Sequence, residues 1–168
     1  MAIYHAHIQV IGRSQDRSVV AAAAYRAADE LFDDNLNRTH DFTAKLGVVH
    51  SEIMLPEGAP ARWEQGTTKA SLHAARLSLW NEVEAEERRH DAQLAREMEF
   101  AIPRELPRAE AIRLAQDFVR EQFVDRGMVA DLNVHWDVGG DGGLKPHAHV
   151  MLTMRQVTPE GFGPKVRE

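Results

Sequence analysis

Three histidines in the C-terminal part of the chain have the spacing of a metal site. His147 and His149 lie in the segment PHAHVMLT, and side chains two positions apart on a β-strand point to the same side of a sheet. His135 lies in MVADLNVHWDV, which alternates in the same way and is joined to the first segment through GGDGG. The two segments predict a β-hairpin, and a register that places His135 opposite the pair would bring three imidazoles together. Neutral imidazoles favour a borderline divalent metal, Mn, Co, Ni or Zn, with positions left open for substrate.

An acidic strand would complement such a cluster. The segment AREMEFAIP alternates, with Met98, Phe100 and Ile102 on one face and Glu97 and Glu99 on the other. If this strand neighbours the histidine hairpin, a carboxylate can accept an imidazole N–H and fix the tautomer of the ring. Glutamates on a half-exposed strand are as often simply solvated, and the alternation alone does not separate the two interpretations.

The tripeptide His-Ala-His also occurs at residues 5 to 7, on a strand predicted over residues 2 to 11. His5, His7 and Gln9 share its polar face. An isolated His-x-His pair is a weak indication of a metal site, and a single histidine is more often a partly buried structural residue. The copy at residues 147 to 149 has His135 and the acidic strand in addition, so we predict that this copy binds the metal.

The remaining pattern predicts helices that pack on this sheet. Ser18 is a suitable N-cap for a helix over VVAAAAYRAADELF. KLGVVHSEIML predicts another strand. An exposed amphipathic helix is predicted from Ser71 to about Leu94, and a further helix over RAEAIRLAQDFVREQFVDR that Gly127 ends.

Tyr25 is one of two tyrosines and lies in the second turn of the first predicted helix. By residue type alone it is more typical of packing than of catalysis. The loop before the helix carries Arg13 and Arg17 with Ser14 and Ser18. Loop N–H groups, a helix N-terminus and arginines together favour the approach of a phosphate group.

Composition indicates a single globular domain over residues 1–168, with 43% hydrophobic and 27% charged residues. The absence of cysteine excludes disulfides and thiolate metal sites and fits a reducing cytoplasm, and no apolar run is long enough to insert in a membrane. The net charge of −6 is uneven, because residues 29–140 contain 13 basic and 22 acidic residues while both ends are mildly basic. This distribution is compatible with a localised anion-binding surface.

Three stretches, MAIYHAHIQVIGRSQDRSVVAAAAYRAA, WNEVEAEERRHDAQLAREMEFAIPREL and DLNVHWDVGGDGGLKPHAHVMLTMR, resemble the relaxase domain of MobA/MobL-family (MobQ class) mobilisation proteins, especially TraA-type N-terminal domains. The resemblance covers essentially the whole chain and keeps the order of the motifs. It implies an HUH relaxase-like α+β fold, that is, a two-layer α/β arrangement in which helices pack on one face of a central antiparallel sheet of about five strands. One departure is Asp16, at a position where the family commonly has glycine.

The resemblance also implies roles for individual residues. The family's nucleophile matches Tyr25, and its metal ligands match His135, His147 and His149, so the pattern is complete without the histidines at 5 and 7. The family's acidic strand matches Glu97 and Glu99, which we expect in the catalytic site. By position, candidate contacts to DNA phosphate are Arg13, Arg17, Arg26, Lys145 and Arg155.

The implied activity is site- and strand-specific nicking and rejoining of plasmid origin-of-transfer DNA through a covalent 5′-phosphotyrosine, which initiates conjugative transfer. Mn or Mg is the expected divalent ion, with Zn, Co or Ni as further candidates. The expected partners are single-stranded origin DNA, accessory relaxosome proteins and a coupling protein, in the bacterial cytoplasm. The chain is expected to be the N-terminal fragment of a longer protein.

Three other functions fit parts of the same pattern. One is a replication initiator or transposase of the HUH group, although a tyrosine that precedes the histidine motif favours the relaxase order. Another is a metallohydrolase in which water attacks at the three-histidine site and Tyr25 is structural. The third is a DNA-binding module without activity, in which the histidines are structural. Replacing Tyr25 by phenylalanine separates the enzymes, and metal titration tests the third.

Overall fold

The computed structural model describes residues 4–138 and 143–166. These residues form an α+β fold around a five-stranded antiparallel sheet, which confirms the predicted class. Most of the predicted glycine-rich connection at 139–143, and the predicted orientations of the Tyr4 and His5 side chains, lie outside the described part of the chain. The strands and helices, in order, are β1 (Tyr4–Gly12), α1 (Val19–Ala27), β2 (Glu30–Asp33), β3 (Arg38–Asp41), β4 (Val48–Met54), α2 (Lys69–Glu86), β5 (Gln93–Ala101), α3 (Arg108–Gln122), β6 (Ala130–Val138), β7 (Leu144–Leu152), β8 (Arg155–Thr158) and β9 (Gly161–Lys165).

The central sheet has the strand order β1-β5-β7-β6-β4. The predicted hairpin is β6 and β7, and its register places His135 opposite His147 and Asn133 opposite His149. On the other side of β7, the predicted acidic strand β5 places Glu99 opposite His149. The alternation of each strand and the two pairings therefore place the acidic and histidine side chains on one face, as predicted.

Helix α3 covers the opposite, apolar face of the sheet. Its alanines and valine, Ala111, Ala115 and Val119, are fully buried. They pack in one core with strand residues that include Phe100, Leu132, Val134, Ala148 and Val150. The helix that was predicted to run as far as Gly127 ends at Gln122. Gly127, with a φ of 102°, ends a separate 3-10 turn at Val124–Arg126, in a left-handed conformation that glycine adopts without strain.

The face that carries the histidines is also partly covered, so the expectation that helices pack on one face only is corrected. Helices α1 and α2 form a second core on this side, in which the small side chains of Ala22, Ala23 and Ala24 allow close approach. Arg76 of α2 donates two hydrogen bonds to the carboxylate of Asp131 in β6, at 2.8 and 2.9 Å. Both side chains are buried, so the polar side of β6 holds a helix by an ion pair rather than facing solvent.

Helix α1 is shorter than predicted. It ends at Ala27, and Ala28 adopts a left-handed conformation with φ 53° and ψ 48°. The segment that the sequence assigned to the last turn is strand β2, which pairs with β3 in a separate hairpin. The fully buried Asp33 fixes this hairpin to the start of α1, because it accepts hydrogen bonds from Ser18 Oγ (2.6 Å) and His40 Nε2 (2.9 Å). Burial alone would raise the pKa of Asp33, but these hydrogen bonds outweigh burial and lower it.

Helix α2 also ends earlier than predicted, at Glu86 rather than near Leu94. The chain turns there because Glu87 is drawn out of the helix by two cations of the β8–β9 hairpin. Its carboxylate accepts hydrogen bonds from Arg155 Nε (2.7 Å) and Lys165 Nζ (3.3 Å). Within the described residues, no helix combines the length and the apolar character that crossing a membrane requires.

Candidate active site

The three predicted metal ligands converge. The ring centroids of His135, His147 and His149 are 4.4 to 5.2 Å apart. One ligand nitrogen from each ring lies within 4.8 Å of the others. Nitrogens that bind one ion at about 2.1 Å lie roughly 3 to 3.5 Å apart, so small side-chain rotations would complete the shell. No other group of this kind, with three or more candidate ligands, occurs among the described residues.

Two of these histidines are held in the neutral form that a metal requires. The pKa of His135 is lowered from 6.5 to about 4, mainly by burial, and the charges of Lys45 and His147 contribute in the same direction. The pKa of His149 is lowered to about 2, again mainly by burial, with repulsion from His135 and His147 as a smaller cause. At neutral pH both rings therefore offer a lone pair without first losing a proton.

Backbone carbonyls orient two of the rings. His135 Nε2 donates to the carbonyl oxygen of Arg26 at 2.8 Å, and His147 Nδ1 donates to that of Lys145 at 2.9 Å. A carbonyl only accepts, so each contact fixes the tautomer and leaves the other ring nitrogen with its lone pair. The cluster is therefore already arranged to bind a cation.

Two carboxylates lie near the cluster, and one of them was missed by the sequence analysis. Glu99 Oε2 is 3.9 Å from His149 Nδ1, a charge contact that is too long for a hydrogen bond. Asp137 Oδ2 is 3.6 Å from His147 Nε2. The sequence could have indicated Asp137, because it lies two positions after His135 and therefore on the same face of β6.

Glu97 is placed differently from Glu99. It is buried, and its carboxylate accepts hydrogen bonds from Gln9, from Arg17 at 3.1 Å and from Arg26. Its hydrogen bonds within the described chain are thus to two arginines and an amide rather than to an imidazole. Glu97 holds the two arginines beside the histidine face, because α1 and the loop before it pass over this end of the sheet.

Tyr25 lies on the outer side of α1 and is 48% exposed. Its ring packs edge-on against Phe42, with centroids 5.2 Å apart, and Lys45 Nζ lies 3.8 Å from the ring centroid. The next residue, Arg26, is the one whose carbonyl accepts from His135. No hydrogen bond to the tyrosine hydroxyl comes from the described residues, and about half of the side chain is open to solvent.

The candidate phosphate-binding residues fall into two groups. Arg13 donates to the Glu84 carboxylate at 2.8 Å and to the Arg89 carbonyl at 3.0 Å, and Arg155 is held by Glu87. These two arginines therefore stabilise the fold around the C-terminal end of α2. Arg17, Arg26 and Lys145 lie on the side of the sheet that carries the histidines or next to it.

The loop before α1 keeps a backbone conformation that glycine favours. Asp16, which replaces the glycine common in the family, has φ 56° and ψ 33°. Aspartate tolerates this left-handed region better than most residues, so Asp16 can take the place of a glycine in this loop.

His7, from the N-terminal His-Ala-His segment, is exposed on β1. It pairs with Glu99 of β5, and together with His149 it lines a small cavity beside the cluster.

Comparisons with known proteins identify the family of the chain. The MobA/MobL family model matches residues 17–168. The chain is 42% identical over 166 residues to "Conjugal transfer protein TraA" of Agrobacterium fabrum. The aligned region covers 98% of this chain and 14% of TraA. It is also 42% identical over 182 residues to "Mobilization protein MobL" of Acidithiobacillus ferridurans. That alignment covers 96% of this chain and 45% of MobL.

A solved structure described as "Molecular Basis of Vancomycin Resistance Transfer in Staphylococcus aureus" has the same fold. It matches with a TM-score of 0.83 and 29% sequence identity, over 99% of this chain and 78% of that chain. The present chain spans less than half the length of the TraA and MobL relatives. Since the family model matches most of its length, the chain belongs to the MobA/MobL family of conjugative mobilisation proteins.

Proposed function

We propose that this chain nicks and rejoins one strand of plasmid DNA at an origin of transfer, with Tyr25 as nucleophile and His135, His147 and His149 as metal ligands. The observation that carries the proposal is the link between the two sets of residues. The exposed tyrosine and the carbonyl that orients His135 are consecutive on α1. A helix shift that moved one would therefore move the other.

The reaction is a transesterification at one phosphodiester. Tyr25 Oη forms a bond to the scissile phosphorus, and the bond from phosphorus to the 3′-oxygen breaks. The tyrosine loses its proton, the 3′-oxygen gains one, and the 5′-phosphate remains on the protein. Because one phosphate ester replaces another, the reverse attack by a 3′-hydroxyl rejoins the strand without an added energy source.

The histidine cluster would hold a divalent ion that neutralises the scissile phosphate and stabilises the departing 3′-oxygen. Three imidazoles with Asp137 and Glu99 nearby suit Mn, Co, Ni or Zn better than Mg, which prefers oxygen ligands. We therefore propose Mn as the ion that supports nicking. Glu99 and Asp137 would place negative charge beside the ion, and Glu97 keeps Arg17 and Arg26 near the phosphate.

The DNA is proposed to be single-stranded around the nick, since the attacking hydroxyl needs access to one phosphate in line with its leaving oxygen. The relatives are named for conjugal transfer and for mobilisation, which supports origin DNA as the substrate. By the same reasoning we propose accessory relaxosome proteins and a coupling protein as partners. Lys145, which is exposed beside His147, is the candidate we favour for a phosphate contact.

The test uses single-stranded oligonucleotides that tile the plasmid DNA flanking the gene, each labelled at its 5′ or 3′ end, incubated with the protein and Mn²⁺. On a denaturing gel, a 3′-labelled oligonucleotide should migrate with the protein, and its 5′-labelled copy should be shortened to one length. Tyr25→Phe should abolish the adduct while binding Mn²⁺ with unchanged affinity, and Tyr4→Phe is the matched control.

The metallohydrolase alternative has a distinct outcome in the same experiment. Undiminished cleavage by Tyr25→Phe, with a free 5′-phosphate and no adduct, would show that water attacks and that the tyrosine is structural. Absence of both cleavage and metal binding in the unaltered protein would reject an enzymatic role at this site.

A further inference from the structure

We propose that Lys45 is a positioning residue for Tyr25: its ammonium group fixes the tyrosine ring and holds the backbone of α1 against the strand that carries His135. This inference rests on the proposed function of Tyr25 and adds a residue that the sequence analysis did not consider.

Lys45 contacts both parts of the tyrosine. Its Nζ lies 3.8 Å from the centroid of the Tyr25 ring and donates a hydrogen bond to the Tyr25 carbonyl oxygen at 3.0 Å. The first contact is a cation–π interaction, which restricts the ring, and the second restricts the backbone. Phe42 closes the ring from the edge at 5.2 Å, so two residues of one loop determine where the phenol points.

The loop that carries Lys45 is itself anchored to the histidine strand. Lys45 N donates to the Phe42 carbonyl at 3.0 Å, which forms a turn, and the Gly47 carbonyl accepts from Trp136 N at 2.8 Å. Trp136 lies between His135 and Asp137 on β6. Residues 42–47 therefore form a short brace between the tyrosine and the metal ligands.

Gly47 allows the brace to approach β6 this closely. Its φ is 99°, and a Cβ at this position would lie 2.4 Å from Asp137 Oδ1. A larger residue would be strained at this φ and would displace the Asp137 carboxylate. Glycine two residues after Lys45 therefore lets the brace turn onto β6 while Asp137 keeps its place beside the histidines.

The charge of Lys45 belongs to the same site. The ammonium is close enough to His135 and His149 to disfavour their protonated forms. Partial burial lowers the pKa of Lys45 itself, the charge of Arg26 adds to this, and Asp137 opposes it.

The first experiment measures the contact without any DNA. The chain contains only two tyrosines, so labelling with 3-fluorotyrosine gives two ¹⁹F resonances, and Tyr25→Phe identifies the one from Tyr25. Lys45→Met keeps the aliphatic stem but removes the charge and the donor, and it should shift and sharpen the Tyr25 resonance. Lys69→Met, at the exposed start of α2, is the matched control and should leave it unchanged. An unchanged Tyr25 resonance in Lys45→Met would overturn the proposal.

The second experiment measures adduct formation in a single turnover, together with DNA affinity. Lys45→Met should slow the adduct about tenfold or more, because a misplaced nucleophile loses alignment, while Kd for the oligonucleotide and for Mn²⁺ changes less than about twofold. Lys45→Arg, which keeps a cation over the ring, should recover most of the rate. A rate for Lys45→Met within twofold of the unaltered protein, or a defect confined to Kd, would contradict a positioning role. If the unaltered protein forms no adduct, the proposed function fails, whereas the ¹⁹F result still stands.

Discussion

His135 joins the buried interior of the sheet to the candidate site. It is 2% exposed, and its one ring N–H is used by the Arg26 carbonyl. Burial of an imidazole costs more when it is charged, so the ring is neutral in the folded protein at pH values where an exposed histidine would be protonated. The same property that prepares this residue to bind a metal makes the metal-free protein sensitive to acid.

This sensitivity gives a pH-dependent prediction. Below the ordinary pKa of 6.5, the unfolded chain binds a proton at position 135 that the native protein does not bind until about pH 4. The free energy of unfolding should therefore fall by about 2 kcal/mol between pH 7 and pH 5 through His135 alone. In urea denaturation, the free energy of unfolding of metal-free His135→Gln should fall by about that much less on acidification than that of the unaltered protein. His90→Gln, on an exposed loop, should behave like the unaltered protein. Equal losses in His135→Gln and the unaltered chain would contradict this assignment.

The histidine cluster was predictable because its three members lie on two consecutive strands. The alternation of polar and apolar residues determined which side chains share a face of the sheet. A hairpin also has few registers that keep its apolar face buried. The contacts of Glu97 and Lys45 were not predictable in this way. Arg17 and Arg26 reach Glu97 from segments about 70 to 80 positions away, and pairings of this range depend on how helices cross the sheet.

At the level of elements, one buried ion pair attaches α2 to the sheet. Arg76 and Asp131 are 2% and 0% exposed, and Asp131 also accepts from Trp80 Nε1 at 2.8 Å. The proximity of Asp131 outweighs the effect of burial and raises the pKa of Arg76, so both partners stay charged. Removal of one partner from such a pair leaves an uncompensated buried charge.

Arg76→Met should therefore lower the free energy of unfolding by about 3 to 5 kcal/mol. Arg76→Met combined with Asp131→Asn should recover part of this loss, because the second change removes the unpaired carboxylate. Arg89→Ala breaks an ion pair with Asp91 whose arginine is largely exposed and should cost less than about 1 kcal/mol. Urea denaturation followed by circular dichroism measures all three, and a loss below about 1 kcal/mol for Arg76→Met would show that the pair does not hold α2.

The ends of α1 and α2 were the least predictable elements. Both segments continue with residues that are compatible with a helix, so helix propensity alone predicts helices that are too long. The stops come from tertiary contacts: Asp33 holds the β2–β3 hairpin after α1, and Glu87 binds the β8–β9 hairpin after α2. Neither hairpin was recognised, because strands of four or five residues show too little alternation.

For the whole molecule, the arrangement of charge matters more than the net value of −6. At the histidine face, Lys145 is exposed, Lys45 contacts the Tyr25 ring, and Arg17 and Arg26 are paired with Glu97. Arg13 and Arg155 are paired with Glu84 and Glu87 at the C-terminal end of α2. Binding of a strand of DNA should therefore use few phosphate contacts, all on one side of the sheet.

The dependence of DNA binding on salt tests this distribution. A single-stranded DNA contact contributes about 0.7 to the slope of log K against log salt concentration. Lys145→Ala should reduce that slope by about 0.7 and weaken binding of every sequence alike. Arg155→Ala should leave the slope unchanged and lower the thermal stability instead. The reverse result, in which Arg155→Ala changes the slope, would place the DNA on the opposite end of the molecule.

Because α1 ends at Ala27, the Arg26 carbonyl oxygen accepts a hydrogen bond from the His135 ring instead of from a helix amide. In a continuing helix, the Arg26 carbonyl would accept from the amide four positions later, at Glu30. Here that amide donates to Asp29 Oδ1 at 2.8 Å, and the carbonyl is left to His135. Winding one more turn of α1 would withdraw the carbonyl and release the imidazole, so the helix–coil equilibrium at residues 27–30 and the orientation of a metal ligand are thermodynamically linked. A change in either one shifts the other by the same free energy.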